Sequence, residues 1–395
     1  MSIGIYISVP FCRTKCSYCN FASGVFSAAQ MGRYVERLCA DIAGSRALAA
    51  GSGVEVPGIA DTIYLGGGTP SLLPAKDLTA LFAKIRAEFQ VAPQAEVTVE
   101  CAPGTISDAA LEALAACGVN RVSLGVQSFV DKEAAAVGRL HTREITLNDI
   151  EGLRRVGISN INVDLIAGLP HQTAESWNES LMAALSTGVP HISVYMLEVD
   201  LESRLGRELI AGGKRYHSHS VPDDDAIAGF YEEAMVQLNA AGIPQYEISN
   251  FARAGFESRH NLKYWHRQPY FGFGVDAHSM LPASDQSRQQ GTEAVRLATT
   301  DSFDEFFAAA QTEAFPVSTG QALEESFFLG LRLNRGIDLC ELRKHFGAAV
   351  ETYDPAIAEL VDAGMLSRSG DLLQLTPRGR LLSNEVFAMF VGADG

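Results

Sequence analysis

The chain has 395 residues, 47% of them hydrophobic and 20% charged, the balance of a globular protein with one large domain and room for one or two small ones. Its net charge of −16 works against nonspecific binding to nucleic acid or anionic lipid, and no apolar run nears the roughly 18 residues that span a bilayer. Met1 leads directly into Ile3-Gly4-Ile5-Tyr6-Ile7 with no basic stretch or cleavage site, so the expected location is the cytoplasm. Seven cysteines, an odd number, argue there against a disulfide framework.

In chain order, strand-type runs are expected at Ile3–Val9, Thr62–Leu65, Glu96–Glu100, Arg121–Gly125, Asn160–Ile166 and His191–Leu197. Between them lie stretches of helical period, among them Ala75–Phe89, Asp108–Ala116, Ile145–Val156 and Ala174–Leu185. Strands read as apolar on both faces and alternating with helices imply a parallel sheet; six such units suit a partial (β/α)6 TIM-type barrel over residues 1–225. Gly212–Pro222 reads as an exposed loop, and Asp223–Ala241 as a helix capped by Asp223 or Asp224. A β-like, Gly-rich section follows from Ile243 to about Thr299, giving an α+β extension over 226–315. The remainder, 316–395, reads as helices Leu323–Leu333, Leu339–Phe346 and Pro355–Ala363, a hairpin Leu366–Leu375 and a helix Pro377–Phe390, an order like a winged helix. From Gly320 onward seven Lys and Arg face eleven Asp and Glu, so this module is expected to pack or dock a partner rather than bind DNA.

Cys12, Cys16 and Cys19 form a CxxxCxxC run in the loop after the first strand. Three thiolates fill three corners of a cubane and leave one iron open to a small-molecule chelate. The alternative is zinc, which wants a fourth ligand; the nearest histidine is His141, and a distant Cys101 or Cys117 stays open by spacing alone. Cys39, Cys101, Cys117 and Cys340 read as scattered small hydrophobes. Gly66-Gly67-Gly68-Thr69-Pro70 follows the second strand and is neither a Walker loop nor a dinucleotide fingerprint. It is a tight turn, or a strip whose backbone approaches a ligand closely. Glu100, Gln127 and Asp164 at further strand ends, with Arg139 in the loop after the fourth unit, suit ribose hydroxyls and an ammonium group.

These residues resemble the heme chaperone HemW family, once described as oxygen-independent coproporphyrinogen III oxidase-like, within the radical SAM superfamily. The resemblance runs through Tyr6-Ile7-Ser8-Val9-Pro10-Phe11-Cys12, Gly66–Ser71, Arg121–Phe129, Leu140-His141, Asp164–Pro170, Tyr246–Ala252 and Ala277–Ser279. It implies a 4Fe-4S cluster on Cys12, Cys16 and Cys19, and S-adenosylmethionine against Tyr6, Gly67, Gly68, Thr69, Glu100, Gln127, Arg139 and Asp164, with Tyr18 near the adenine. It further implies heme as cargo, contacted by the HNxxYW residues His260, Asn261, Tyr264 and Trp265, with His260 or the nearby His266 as axial ligand.

Two features separate this chain from the oxidase pattern: Phe21 stands where CxxxCxxCxC has its fourth cysteine, and the chain begins at the first strand. Two residues depart from the family as well, Ser8 where it has His and Ala102 where it has Asn; neither is a ligand to iron. The resemblance therefore implies a chaperone that hands heme to acceptors such as respiratory enzymes. Homodimer formation and peripheral membrane association through a partner are compatible with it. The alternatives are radical decarboxylation of coproporphyrinogen III propionates and, last, radical heme degradation.

Overall fold

The structure is a computed structural model that describes residues 1–201, 203–308 and 312–392. Six strands, β1 (Ser2–Val9), β2 (Ile59–Gly67), β3 (Gln90–Cys101), β4 (Arg121–Gln127), β5 (Asn160–Ala167) and β6 (His191–Met196), pair in chain order and all in parallel. Parallel neighbours need crossovers. Those are α1 (Ala28–Gly51), α2 (Ala75–Glu88), α3 (Asp108–Ala116), α4 (Asp131–Ala136) with α5 (Arg143–Arg155), and α6 (Ala174–Ser186). The 24-residue α1 lies outside the expected set, although its buried Tyr34, Val35, Leu38, Ile42, Ser45 and Ala49 recur at helical spacing.

The expectation of strands apolar on both faces is corrected. Ile3, Ile5, Ile7 and Val9 of β1, Val122, Leu124 and Val126 of β4, and Ile161, Val163 and Leu165 of β5 join one core with the helices. The alternate positions are Gly4, Tyr6 and Ser8; Thr62, Tyr64 and Gly66; Glu96, Thr98 and Glu100; Arg121 and Ser123; Asn162 and Asp164; and His191 and Ser193. They form a polar inner face, and burial is tolerable because its members bond to one another. Asn162 Nδ2 reaches Ser123 Oγ at 2.7 Å, Ser193 Oγ at 2.9 Å and Asp164 Oδ1 at 2.7 Å, while its Oδ1 meets His191 Nδ1 at 2.5 Å.

After β6 come α7 (Arg204–Ile210), a short turn at 215–220 in the expected loop, and α8 (Asp224–Ala240), capped by Asp223 through the Ala226 N–H. The extension adds β7 (Gln245–Glu247), β8 (Asn250–Ala252), β9 (Tyr270–Phe273), β10 (His278–Pro282), β11 (Thr292–Ala298) and β12 (Glu313–Ser318). Among the described residues one twelve-stranded sheet results, in the order β12-β11-β10-β9-β1-β2-β3-β4-β5-β6-β8-β7. Strand β9 lies beside β1 and β8 beside β6, so the six-strand barrel is partial. The expected β-like section also contains two short helices, α9 (Arg259–Trp265) and α10 (Asp285–Arg288), and α11 (Phe303–Phe307) follows it.

The C-terminal part holds α12 (Thr319–Gly330), β13 (Ile337–Asp338), α13 (Leu339–Phe346), α14 (Asp354–Asp362), β14 (Leu366–Ser369), β15 (Leu372–Leu375), α15 (Pro377–Leu381) and α16 (Ser383–Ala388). Its small sheet runs β13-β15-β14 over a second core that includes Leu331, Leu339, Ile357, Leu373 and Phe390. Two expected helices differ: the first starts earlier, at a capping box of Ser318 and Gln321, and the last is broken at Leu382. The division at 225/226 and 315/316 remains our proposal; of the residues it assigns, 202, 309–311 and 393–395 lie outside the described ones.

Candidate functional site

Strand β1 delivers the chain to the cysteine loop, and the loop's backbone is tied on every side. Cys12 N–H donates to Gly24 O at 2.8 Å, Ser17 N–H to Val137 O at 3.1 Å, and Leu205 N–H of α7 to Ser17 O at 2.8 Å. Arg204 donates to the carbonyls of Lys15 and Cys16, and Thr14 Oγ1 to Gly138 O at 3.0 Å. Cys12, Cys16 and Cys19 thereby line a cleft of about 690 Å³ at the C-terminal ends of the strands, within the range of small-molecule sites. Tyr18, Gly67, Gly68, Thr69, Glu100, Gln127, Arg139 and Asp164 line the same cleft. Among the described residues no three His, Cys, Asp or Glu converge on a single-ion site. Cys12, Cys16 and Cys19 on this one cleft offer three thiols, the number a cluster with one open iron takes.

In the glycine strip the N–H groups are taken up by the protein's own oxygens. Gly67 N–H donates to Glu100 Oε2 at 3.2 Å, Gly68 N–H to Val9 O at 3.0 Å and Thr69 N–H to Phe11 O at 2.7 Å. A Cβ on Gly68 would stand 2.8 Å from the carbonyl oxygens of Val9 and Phe11. The strip is glycine because it must lie flat against the chain that carries Cys12. Thr69 Oγ1 faces Cys12 Sγ at 3.9 Å.

Glu100 Oε1 accepts from Tyr64 OH at 2.7 Å, and burial raises its pKa to about 7. Burial likewise raises Asp164, against the bonds it accepts from Ser193, Ser123 and Asn162. Arg139 is opposed by burial, but Tyr18 and the Cys16 thiol beside it more than offset that, so it stays cationic. Its Nη2 donates to Tyr18 OH at 3.1 Å, while its buried Nε has no partner. A buried orphan donor, two carboxylates and three thiols form a donor set that fits a zwitterionic, hydroxyl-bearing ligand beside a cluster. Gln127 holds a left-handed φ of 69°, with Nε2 only 3.1 Å from where a Gly125 Cβ would be.

Tyr6 is not on the cleft wall. Its hydroxyl lies beneath Gly67, 3.4 Å from where a Cβ would stand, and its ring stacks on Tyr64 with centroids 6.2 Å apart. Ser8 Oγ sits at 3.1 Å from the same point, and Ala102 lines the cleft. Wall residues that sequence reasoning missed are Ser123, Tyr195 and the Met196–Asp200 segment. Period-two polarity in Arg-Val-Ser-Leu-Gly-Val-Gln was the signal for Ser123.

His260, Asn261, Tyr264 and Trp265 are absent from this cleft. They form α9 at the opposite, N-terminal ends of the strands, where a Cβ on Gly4 would be 3.1 Å from the His260 ring. Glu96 of β3 accepts the Arg259 and His260 N–H groups at 3.0 Å each, and Ser258 caps the helix. His260 is 0% exposed. Its Nδ1 meets Thr62 Oγ1 and its Nε2 meets Tyr264 OH, both at 2.8 Å. Burial and the neighbouring Lys263 lower its pKa to about 3, so it is neutral. Lys263 itself, 1% exposed, pairs with Asp61 at 2.7 Å. The C-terminal part covers the far side of α9: Arg332 lies 4.3 Å over the Trp265 ring, Arg335 Nη2 is 3.0 Å from His266 Nε2, and Arg267 pairs with Glu325 at 2.7 Å. Burial and Arg335 lower His266 to about 4.

The family model described as the Radical SAM superfamily matches residues 6–184, and the HemN C-terminal domain matches 317–382. A heme chaperone HemW of Bacillus subtilis is 33% identical over 395 residues, covering 98% of each chain. One of Mycobacterium tuberculosis is 34% identical, covering 98% of this chain and 95% of its own, and one of Escherichia coli is 30% identical, covering 98% of both. Among solved structures, the Escherichia coli coproporphyrinogen III oxidase, a radical SAM enzyme, superposes with a TM-score of 0.82 at 22% identity. That match covers 98% of this chain and 90% of the oxidase, and at such identity it speaks to fold.

Proposed function

The chain belongs to the heme chaperone HemW family of the radical SAM superfamily, and from that premise we propose that it binds heme as cargo and passes it to an acceptor protein. The superfamily implies a 4Fe-4S cluster and S-adenosylmethionine in general. The observation that carries their placement is the convergence of Cys12, Cys16 and Cys19 with Glu100, Gln127, Arg139 and Asp164 on one cleft. Together the cluster and S-adenosylmethionine supply one-electron chemistry when bound.

In this reading the chain's own residues bind, orient and exclude water. Cys12, Cys16 and Cys19 hold the cluster, and Thr69 steadies the Cys12 sulfur. Glu100, held by Tyr64 and Gly67, accepts the methionyl ammonium; Asp164, held by Ser123 and Asn162, accepts ribose hydroxyls. Arg139 and Gln127 supply donors, Tyr18 packs near the adenine, and Tyr6 supports Gly67 from below. Phe21, 60% exposed on the rim, is an apolar side chain where the oxidase pattern has sulfur.

Heme binds in this reading at α9, with a neutral imidazole of His260 or His266 as axial ligand. His260 must first give up its hydrogen bond to Thr62 or to Tyr264, whereas His266 is half-buried beside Arg335. Separate His260→Ala and His266→Ala variants distinguish them: the ligand is the one whose loss shifts the Soret band.

The deciding experiment is anaerobic. The cluster is reconstituted, reductant and S-adenosylmethionine are added, and heme or coproporphyrinogen III is offered separately. Stoichiometric binding with intact heme recovered is expected. Protoporphyrinogen formation would instead establish an oxidase, and loss of the Soret band with new tetrapyrrole products a heme-degrading enzyme.

A further inference from the structure

We propose that Tyr64 transmits occupancy of the cleft to His260, so that a ligand held by Glu100 weakens heme binding at α9. This rests on the reading above, with Glu100 receiving S-adenosylmethionine and His260, of the two candidate histidines, ligating heme.

Strand register sets the distances involved. Gly4, Thr62 and Glu96 form one row across the inner face, Tyr6, Tyr64 and Thr98 the next, and Ser8 and Gly66 begin a third, with Glu100 two residues beyond Thr98. Successive rows stand two residues apart, about 7 Å along the strands. His260 belongs to the first row through Thr62, and Glu100 to the third. Tyr64 joins them. Its hydroxyl donates to Glu100 Oε1 at 2.7 Å, and its ring stacks on His260 with centroids 5.2 Å apart and planes at 29°. Tyr6 closes the triangle, 6.2 Å from Tyr64 and 6.4 Å from His260.

The two ligands ask opposite things of this triangle. An imidazole that ligates iron gives a ring nitrogen to the metal, so His260 must break its bond to Thr62 or Tyr264 and leave the face of Tyr64. Tyr64 then loses the contact that sets its ring, and its hydroxyl loses its aim on Glu100. An ammonium on Glu100 does the reverse: it pins the ionised carboxylate, and the bond from Tyr64 becomes charge-assisted. The ring is thereby fixed in the position that holds His260 inside. Each ligand favours a different state of one ring, so by linkage each lowers the affinity of the other by the same factor. In a carrier, arrival of S-adenosylmethionine would then favour release of heme. A merely structural Tyr64 would move stability and leave that factor at one.

The test uses the full chain with its cluster reconstituted and left oxidised, so that S-adenosylmethionine stays intact. Heme Kd is measured from the Soret band with and without saturating S-adenosylmethionine, in the wild type and in Tyr64→Phe, which keeps the ring and removes the hydroxyl. The expected ratio is at least about fivefold in the wild type and near one in the variant. Equal heme Kd values in the wild type, or the full ratio retained in Tyr64→Phe, overturn the proposal. A second measurement needs no heme: S-adenosylmethionine should slow amide exchange across residues 259–265 in the wild type and not in the variant. Should the chain take up no heme, the functional reading fails, and this exchange measurement alone decides the link from cleft to α9; unchanged exchange in the wild type ends it.

Discussion

Glu100 shows how one side chain can serve binding at the expense of the ligand-free fold. Burial raises its pKa from an ordinary carboxylate value to about 7, and Tyr64 and Gly67 offset only part of that. A folded pKa above the unfolded one means that its contribution to stability is complete below pH 4.5 and is lost as pH rises through about 7. Binding an ammonium has the opposite sign, because the carboxyl must be ionised to accept it. S-adenosylmethionine affinity should therefore fall as pH drops from 8 to 6, by up to about tenfold per unit below the pKa. Equilibrium dialysis with the cluster oxidised measures this, and Glu100→Gln should bind more weakly with a flatter profile; an unchanged slope in the variant assigns the dependence elsewhere. At this scale the sequence was readable where spacing carries chemistry, as in the cysteines. It was silent about Tyr64, an ordinary strand aromatic until the fold set it between Glu100 and His260.

Among the elements, α9 depends most on partners remote in sequence. Seven residues make a helix too short to persist alone, and Ser258 satisfies one of its first N–H groups. The two preceding donors, on Arg259 and His260, go to Glu96, more than 160 positions earlier. Glu96→Ala should cost about 1–2 kcal/mol in urea unfolding and speed amide exchange in α9 more than in α8. Equal protection of both helices would show that α9 does not need this cap. A sequence reading of β-like structure over Ile243–Thr299 missed α9: its Ser258 cap is local, but the N–H groups of Arg259 and His260 are closed by Glu96 of β3. The crossover helices α2, α3 and α6 were legible because each carries its own apolar stripe, and α3 and α6 also have local caps in Ser107 and Thr173.

For the whole molecule, the notable arrangement is that the cysteine cleft and α9 occupy opposite ends of the same six strands, with the C-terminal part closed over α9. Glu325 of α12 holds both Arg267, just past α9, and Arg296 of β11, each at 2.7 Å, and its side chain is 11% exposed. Removing it strands two cations, so Glu325→Ala should lower stability by about 2–3 kcal/mol, less than a fully buried ion network loses, and should increase the solvent exposure of Trp265. Urea unfolding and acrylamide quenching provide the two readouts; Trp177 is fully buried and serves as the internal reference. Stability lost without a change in quenching would mean that the C-terminal part does not cover α9 in solution.

The sequence by itself determined the parallel βα succession, the three-thiol loop and the family, since each depends on local spacing, period or an ordered series of motifs. Only the tertiary structure decided that the strands turn a polar face inward, that the glycine N–H groups are spent within the protein, and that His260 lies sealed away from the cleft. Those outcomes depend on hydrogen bonds between residues far apart in the chain, such as Glu96 with His260 and Gly68 with Val9, and on which groups burial leaves room to satisfy.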